Sequence, residues 1–229
     1  KIFCDSANFQ TIKKLNNNNL VDGFTTNPSL MRLSGAKNYK EYSLKLLKVC
    51  KKKPISLEVF GDTSSQMLNQ ANIINSWGKN VYVKIPVVNS KGLYSGKIIS
   101  TLSNKGIKLN ITAVYTVSQV KKIIKSINKK SKTIISIFSG RMSDVGKDPI
   151  PIIKESVRLT KKMNKVEILW ASTREAYNYL QAKEYGCSII TMPPSIIEKI
   201  SNFGKTHQEL TLDTVRKFLK DSIKSNFKI

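Results

Sequence analysis

The sequence predicts a single α/β domain, a (β/α)8 TIM barrel over residues 1–229 with an extra C-terminal helix at 210–226. Three observations carry this reading. Eight short apolar runs rich in β-branched residues recur along the chain, segments with helical spacing separate them, and strand precedes helix each time. Strict alternation implies parallel strands joined by right-handed crossovers, and eight units give about 29 residues each, as a compact barrel requires.

The strands are read in order as KIFCD at 1–5, GFTTN at 23–27, ISLEVF at 55–60, VYVKIPV at 81–87, LNITAVY at 109–115, TIISIFS at 133–139, VEILWAS at 166–172 and CSIITMP at 187–193. Helical spacing marks NYKEYSLKLLKVCKK, SQMLNQANIINSW, SQVKKIIKSINKK and REAYNYLQAKEYG between them. A doubly wound open sheet shares the alternation, but no GxGxxG follows the first strand and no P-loop occurs. After the eighth strand a short helix from about Pro194 precedes the amphipathic LTLDTVRKFLKDSIKSN at 210–226, which is more helix than a barrel needs.

Composition narrows the class. Apolar residues make up 40% and charged residues 24%, the balance of a soluble globular protein. No apolar run approaches the ~20 residues of a membrane span, and KIFCDSANFQ lacks the features of a secretory leader, so the expectation is a cytoplasmic protein with no membrane partner. Cys4, Cys50 and Cys187 show no CxxC spacing and read as reduced thiols, and the single His207 argues against a metal centre. The net charge of +24 raises the question of nucleic acid. Only Arg32, Arg141, Arg158, Arg174 and Arg216 are arginines, however, and the 34 lysines are spread over almost every helix of a chain also rich in Asn and Ile. The charge therefore reads as solvated faces, with no nucleic-acid partner expected.

Parallel barrel strands are buried on both faces, so an inward polar side chain needs a reason. Period-2 alternation sends Tyr82, Lys84 and Pro86 inward from the fourth strand, and Ser56, Glu58 and Phe60 from the third. It does the same for Asn110 and Thr112, for Ile134, Ser136 and Phe138, and for Trp170 and Ser172, while Asp5 and Asn27 close the first two strands. Most of these lie near strand C-termini, where barrel enzymes build their sites. Lys84 is the sharpest signal. Flanked by β-branched residues in mid-strand, its amine cannot reach water, so it is either ion-paired or a neutral nucleophile toward carbonyls. A basic barrel that binds nucleic acid or scaffolds an assembly would leave Lys84 unexplained.

Over essentially its whole length the chain resembles the transaldolases, including the short relatives that act as fructose 6-phosphate aldolases. GFTTNPSL at 23–30 resembles the family's first signature and VYVKIPV the strand of its Schiff-base lysine; CDSAN, LNITAVY, ISIFSGR, LWAS with Arg174, and GCSIITMP add to the match. The pattern departs after Lys84, where VVNSKG carries an extra residue. The resemblance implies cofactor-free chemistry on sugar-phosphate substrates. It makes Lys84 the imine-forming residue, Asp5 the acid/base of carbon–carbon cleavage, and Glu58 and Thr112 the holders of a proton-relaying water. It gives Thr26, Asn27, Asn110 and Ser136 to the substrate's three-carbon unit and Arg141, Arg174 and Ser172 to its phosphate. Glu58 and Phe138 stand where the aldolases carry Gln and Tyr, which favours transfer over release of free dihydroxyacetone. It further implies a homo-oligomer, a pentamer or a decamer, with the helix at 210–226 packing on a neighbouring subunit.

Overall fold

The structure is a computed structural model, and it describes residues 1–228; Ile229, the last residue of the expected domain, lies outside the described residues. Among the described residues the parallel strands are β1 (Ile2–Asp5), β2 (Gly23–Thr25), β3 (Ile55–Glu58), β4 (Val81–Pro86), β5 (Leu109–Val114), β6 (Thr133–Ile137), β7 (Val166–Trp170) and β8 (Ile189–Met192). Each pairs with its sequence neighbours, and β1 also pairs with β8, so the sheet closes into a barrel. The (β/α)8 expectation holds, and a helix follows the barrel at the C-terminus.

Five of the helices between strands start where a side chain satisfies a free backbone N–H. Asn8, Asn27 and Asn38 accept from the N–H three residues on, and Thr63 with Gln66 and Thr116 with Gln119 form reciprocal capping boxes. Outward strand residues such as Leu57, Val83, Ile85, Leu109 and Ile111 are fully buried under the helical layer.

Inside the barrel, Phe3, Tyr82, Ile134, Leu169, Ala171 and Ile189 form one apolar layer. Gly23 belongs to it, because a Cβ there would stand 2.7 Å from the Phe3 ring. Two sequence expectations are corrected. Trp170 does not point inward: it registers with Ile137 and Ile190, whereas Leu169, opposite the inward Ser136, and Ala171 face the interior. In VEILW the charged Glu167 shares the face of Leu169, and pairing with β6 sets that face opposite the inward Ile134 and Ser136. Phe60 lies beyond the end of β3, is 60% exposed, and packs edge-on to Tyr39 instead.

The segment VVNSKG after Lys84 lies mostly outside the sheet. Val88 and Tyr94 form an antiparallel bridge around a turn in which the Asn89 carbonyl accepts from the Gly92 N–H and Gly92 has φ +76°, while Asp62 accepts from the Ser90 N–H and hydroxyl. The register of Lys84 with Glu58 and Asn110 is unaffected.

The chain divides into two compact units, Lys1–Ile197 and Glu198 onward. In the second, a helix runs over His207–Ser225, opened by a Thr206/Glu209 capping box and ended by Asn226 in the left-handed region. Its apolar side chains stand in solvent, with Val215 57%, Phe218 66%, Leu219 60% and Ile223 66% exposed.

All three cysteines are free, and burial pushes each thiol up from 9.0 to about 12. The fold keeps protons that the unfolded chain releases, so this contribution to stability is complete below pH 9 and lost as pH rises toward 12. In native protein at pH 8 a thiol-specific disulfide reagent should label far fewer than three thiols per chain, and all three in urea. Rapid native labelling of Cys4 or Cys50 would contradict the packing.

Candidate active site

At the C-terminal mouth of the barrel lies a cavity of about 160 Å³. Of the twelve residues singled out from the sequence, ten line it: Asp5, Asn27, Lys84, Asn110, Thr112, Ser136, Phe138, Arg141, Ser172 and Arg174. The other two stand behind Lys84. Glu58, registered beside it on β3, brings Oε2 to 3.0 Å from Nζ, and the Thr26 carbonyl accepts from Nζ at 3.0 Å. The Thr26 hydroxyl is turned away and donates to the Ser56 carbonyl. Lys84 is only 6% exposed, so its amine meets one carboxylate, one carbonyl and the cavity.

Tyr39 braces this pair. Its hydroxyl donates to the Glu58 carbonyl at 2.8 Å and accepts from the Glu58 N–H at 2.9 Å, fixing the strand end that carries the carboxylate. Burial drives the Tyr39 phenol above its ordinary range, which keeps it a proton-bearing brace.

Opposite, Ser136 donates to Asn110 Oδ1 at 2.6 Å and Asn110 Nδ2 donates to Ser56 at 3.0 Å, so the amide orientation is set on both sides. Thr112 is 2% exposed and its hydroxyl has no protein partner, which leaves its hydrogen-bonding capacity for a molecule in the cavity. Alternation from Asn110 aims Thr112 inward, and a bulge follows it: the β5–β6 register shifts between Ile111 and Val114, and Ala113 adopts φ +58°. Asn27 spends Oδ1 on the Leu30 N–H, leaving Nδ2 to donate.

The two arginines meet through a backbone contact. Ser172 leaves β7 with φ +63°, and a Cβ on Gly140 would fall 1.6 Å from the Ser172 carbonyl oxygen and 3.0 Å from Arg174 Cγ. Only glycine lets the short helix Ser139–Ser143, which carries Arg141, lie against the loop carrying Arg174. Arg141 stacks over Phe138 at 5.2 Å, and Phe138 packs edge-on to Tyr115. Arg174 makes a bidentate pair with Asp144, whose carboxyl the guanidinium holds below its usual range. Two guanidinium groups, each a fork of N–H donors, at one rim suit a phosphate.

Five lining residues were not singled out from the sequence: Ala171, Pro193 and three threonines. Thr25, Thr173 and Thr191 all line the cavity. Strict alternation from Gly23 places Thr25 inward, which was the available signal; Thr191 sits in an apolar run in which neither face is marked. Among the described residues no three His, Cys, Asp or Glu side chains cluster as metal ligands.

A family model described as Transaldolase/Fructose-6-phosphate aldolase matches residues 2–229. Similar proteins include a "Probable transaldolase" of Nitrosopumilus maritimus, 35% identical over 96% of this chain and 94% of that one. "Probable transaldolase 2" of Listeria monocytogenes is 35% identical over 96% and 95%, and a "Probable transaldolase" of Thermoplasma volcanium 36% over 96% and 94%. The crystal structure of KGPDC from Streptococcus mutans superposes with a TM-score of 0.53 at 9% identity over 83% of this chain and 86% of that one, a likeness of fold alone.

Gly140→Ala should force the Arg141 helix and the Arg174 loop apart. A clash with backbone oxygen cannot be relieved by a rotamer change, so the expected loss is about 1–3 kcal/mol of stability, read as a lower urea midpoint, together with weaker protection by inorganic phosphate. Wild-type values for both would show that this helix and loop do not touch.

Proposed function

The chain belongs to the transaldolase/fructose-6-phosphate aldolase family, and we propose that it is a transaldolase, moving a dihydroxyacetone unit from a ketose phosphate to an aldose phosphate through an imine on Lys84. Sedoheptulose 7-phosphate or fructose 6-phosphate would be donor and glyceraldehyde 3-phosphate or erythrose 4-phosphate acceptor, which sets the reaction in the pentose phosphate pathway and in the cytoplasm, where these sugars occur. The observation that carries the reading is the buried Lys84 amine 3.0 Å from Glu58 at the edge of a polar cavity rimmed by two arginines.

The order of proton transfers follows. Glu58 takes a proton from the Lys84 ammonium, and the free amine attacks the ketose carbonyl. Water leaves the carbinolamine with a proton returned through Glu58 and a water held by Thr112. In the imine, Asp5 takes the proton of the C4 hydroxyl, the C3–C4 bond breaks, and its electron pair moves into the iminium to give an enamine and a departing aldose phosphate. The acceptor aldehyde reverses these steps and receives the proton from Asp5. The imine itself is the electron sink, so the chemistry calls for no cofactor. Asn27, Asn110 and Ser136 hold the hydroxyls of the retained three carbons, and Arg141 and Arg174, with Ser172, hold the phosphate, Arg174 exchanging Asp144 for it.

Transfer requires the enamine to survive until an aldehyde arrives. Phe138 offers no proton and covers the cavity wall, whereas a phenol there would bring a donor and a water to the intermediate. That favours transfer over hydrolytic release.

Borohydride with fructose 6-phosphate should fix the three-carbon unit on the peptide containing Lys84, and Lys84→Arg should abolish both labelling and turnover, since Arg cannot supply a neutral amine. Erythrose 4-phosphate should speed fructose 6-phosphate consumption severalfold or more, with Phe138→Tyr narrowing that ratio. Label on another lysine would overturn the mechanism; free dihydroxyacetone formed as fast without acceptor would make the enzyme an aldolase.

We further propose a homo-oligomer, pentamer or decamer, in which the exposed apolar face of the His207–Ser225 helix packs on a second copy. Light scattering should give five or ten protomers for the wild type and a smaller species for Leu219→Asp with Phe218→Asp; a wild-type monomer would refute it.

A further inference from the structure

Asp5 is held by a chain of hydroxyls that crosses three adjacent strands. Thr25 Oγ1 donates to Asp5 Oδ1 at 2.7 Å, and Thr25 Oγ1 lies 2.5 Å from Thr191 Oγ1. The register makes this contact: Asp5 pairs with Thr25 on β2, and Phe3, two residues before Asp5, pairs with Thr191 on β8. Thr25 is 2% and Thr191 4% exposed, so water does not compete for these bonds. The Thr191 carbonyl in turn accepts from the hydroxyl of Thr173 at 2.7 Å, a residue that lies between Ser172 and Arg174 in the chain.

Proton counting orients the chain. A carboxylate only accepts, so Thr25 must spend its one hydroxyl proton on Asp5, and the Thr25–Thr191 contact is then filled by the Thr191 proton. Each hydroxyl donates in one direction, toward Asp5. With Oδ1 fixed in this way, Oδ2 remains for proton exchange.

We infer that Thr25 and Thr191 are positioning residues for carbon–carbon cleavage: together they lock the Asp5 carboxylate so that Oδ2, and not Oδ1, takes the proton of the substrate hydroxyl and returns it to the acceptor. The inference rests on the reading of the site as that of a transaldolase. A carboxylate free to rotate about χ2 would present either oxygen at varying distance, and catalysis is sensitive to misplacement of that size. The amine of Lys84 bonds to Glu58 and the Thr26 carbonyl and not to this chain, so imine formation lies outside its influence while cleavage lies within it. This separation distinguishes positioning from a general role in holding the barrel together.

The experiment compares Thr25→Val, Thr25→Ser, Thr191→Val and the Thr25→Val/Thr191→Val double variant, with fold checked by circular dichroism. Removing a hydrogen bond to a charged group should lower kcat about 10- to 100-fold for Thr25→Val, and removing a neutral one about 3- to 10-fold for Thr191→Val, with donor KM within about twofold. Borohydride labelling of Lys84 with dihydroxyacetone, which forms the imine with no bond to cleave, should stay at the wild-type extent in all. Thr25→Ser should recover most of the lost rate. The double variant should be no slower than Thr25→Val, because Thr191 acts only through Thr25. Additive losses, wild-type turnover in Thr25→Val, or an equal fall in labelling and turnover would each overturn the inference; should Thr25→Val fail to fold, Thr191→Val and Thr25→Ser decide it. If wild-type protein itself gives no label on Lys84, the functional reading fails instead.

Discussion

A lysine amine enclosed by β-branched residues is the constraint on which the rest of this barrel depends. Burying an ammonium without a partner costs several kcal/mol or more, and the barrel meets the demand with a carboxylate and a carbonyl on neighbouring segments. Glu58 can serve only because the β3–β4 register sets it beside Lys84. Tyr39 then fixes the end of β3 by bonding both backbone polar groups of Glu58. The same carboxylate that makes the buried charge tolerable is the group that can remove its proton, so stability and reactivity share one contact.

Around this pair the interior separates into two layers. Phe3, Tyr82, Leu169 and their neighbours close one with apolar side chains, and the polar groups occupy the other, toward the strand C-termini. Within the polar layer one side chain holds the next: Asn110 is held by Ser56 and Ser136, Asp5 by Thr25, Thr25 by Thr191. Thr112 is the exception, and its unpartnered hydroxyl is the one most available to a bound molecule. A site prearranged in this way spends little reorganisation when charge develops in it.

The rim depends on departures from regular backbone. Ala113 and Ser172 carry left-handed φ values, and Gly140 admits the Ser172 carbonyl at a distance no side chain allows. Left-handed conformations persist only when the surroundings enforce them; here Ser172 lines the cavity, and Ala113 follows Thr112, which does. The lysines contribute differently. Most sit on outer faces, and of the ion pairs among the described residues Lys84–Glu58 alone is well buried.

Much of this was legible in the sequence. Eight β-branched runs alternating with helical spacing determine a parallel barrel, because the helices must cover the outer face of every short strand while closure buries the inner one. A lysine in the middle of such a run marks the chemistry by its cost alone, and period-2 alternation along the neighbouring strands finds Glu58, Asn110, Thr112 and Ser136. The tertiary structure decided what local pattern leaves open. Trp170 and Ala171 exchanged sides because pairing with β6 and β8 sets the phase of β7, with Glu167 and Leu169 on the face opposite Ile134 and Ser136. Ser172 reaches the cavity through a left-handed turn and not through alternation. Thr25 and Thr191 meet across 166 residues, and Gly140, in a short helix after β6, meets Ser172 just beyond β7. Contacts of that separation exist only once the barrel closes, since closure, and not any local preference, brings the first strand against the last.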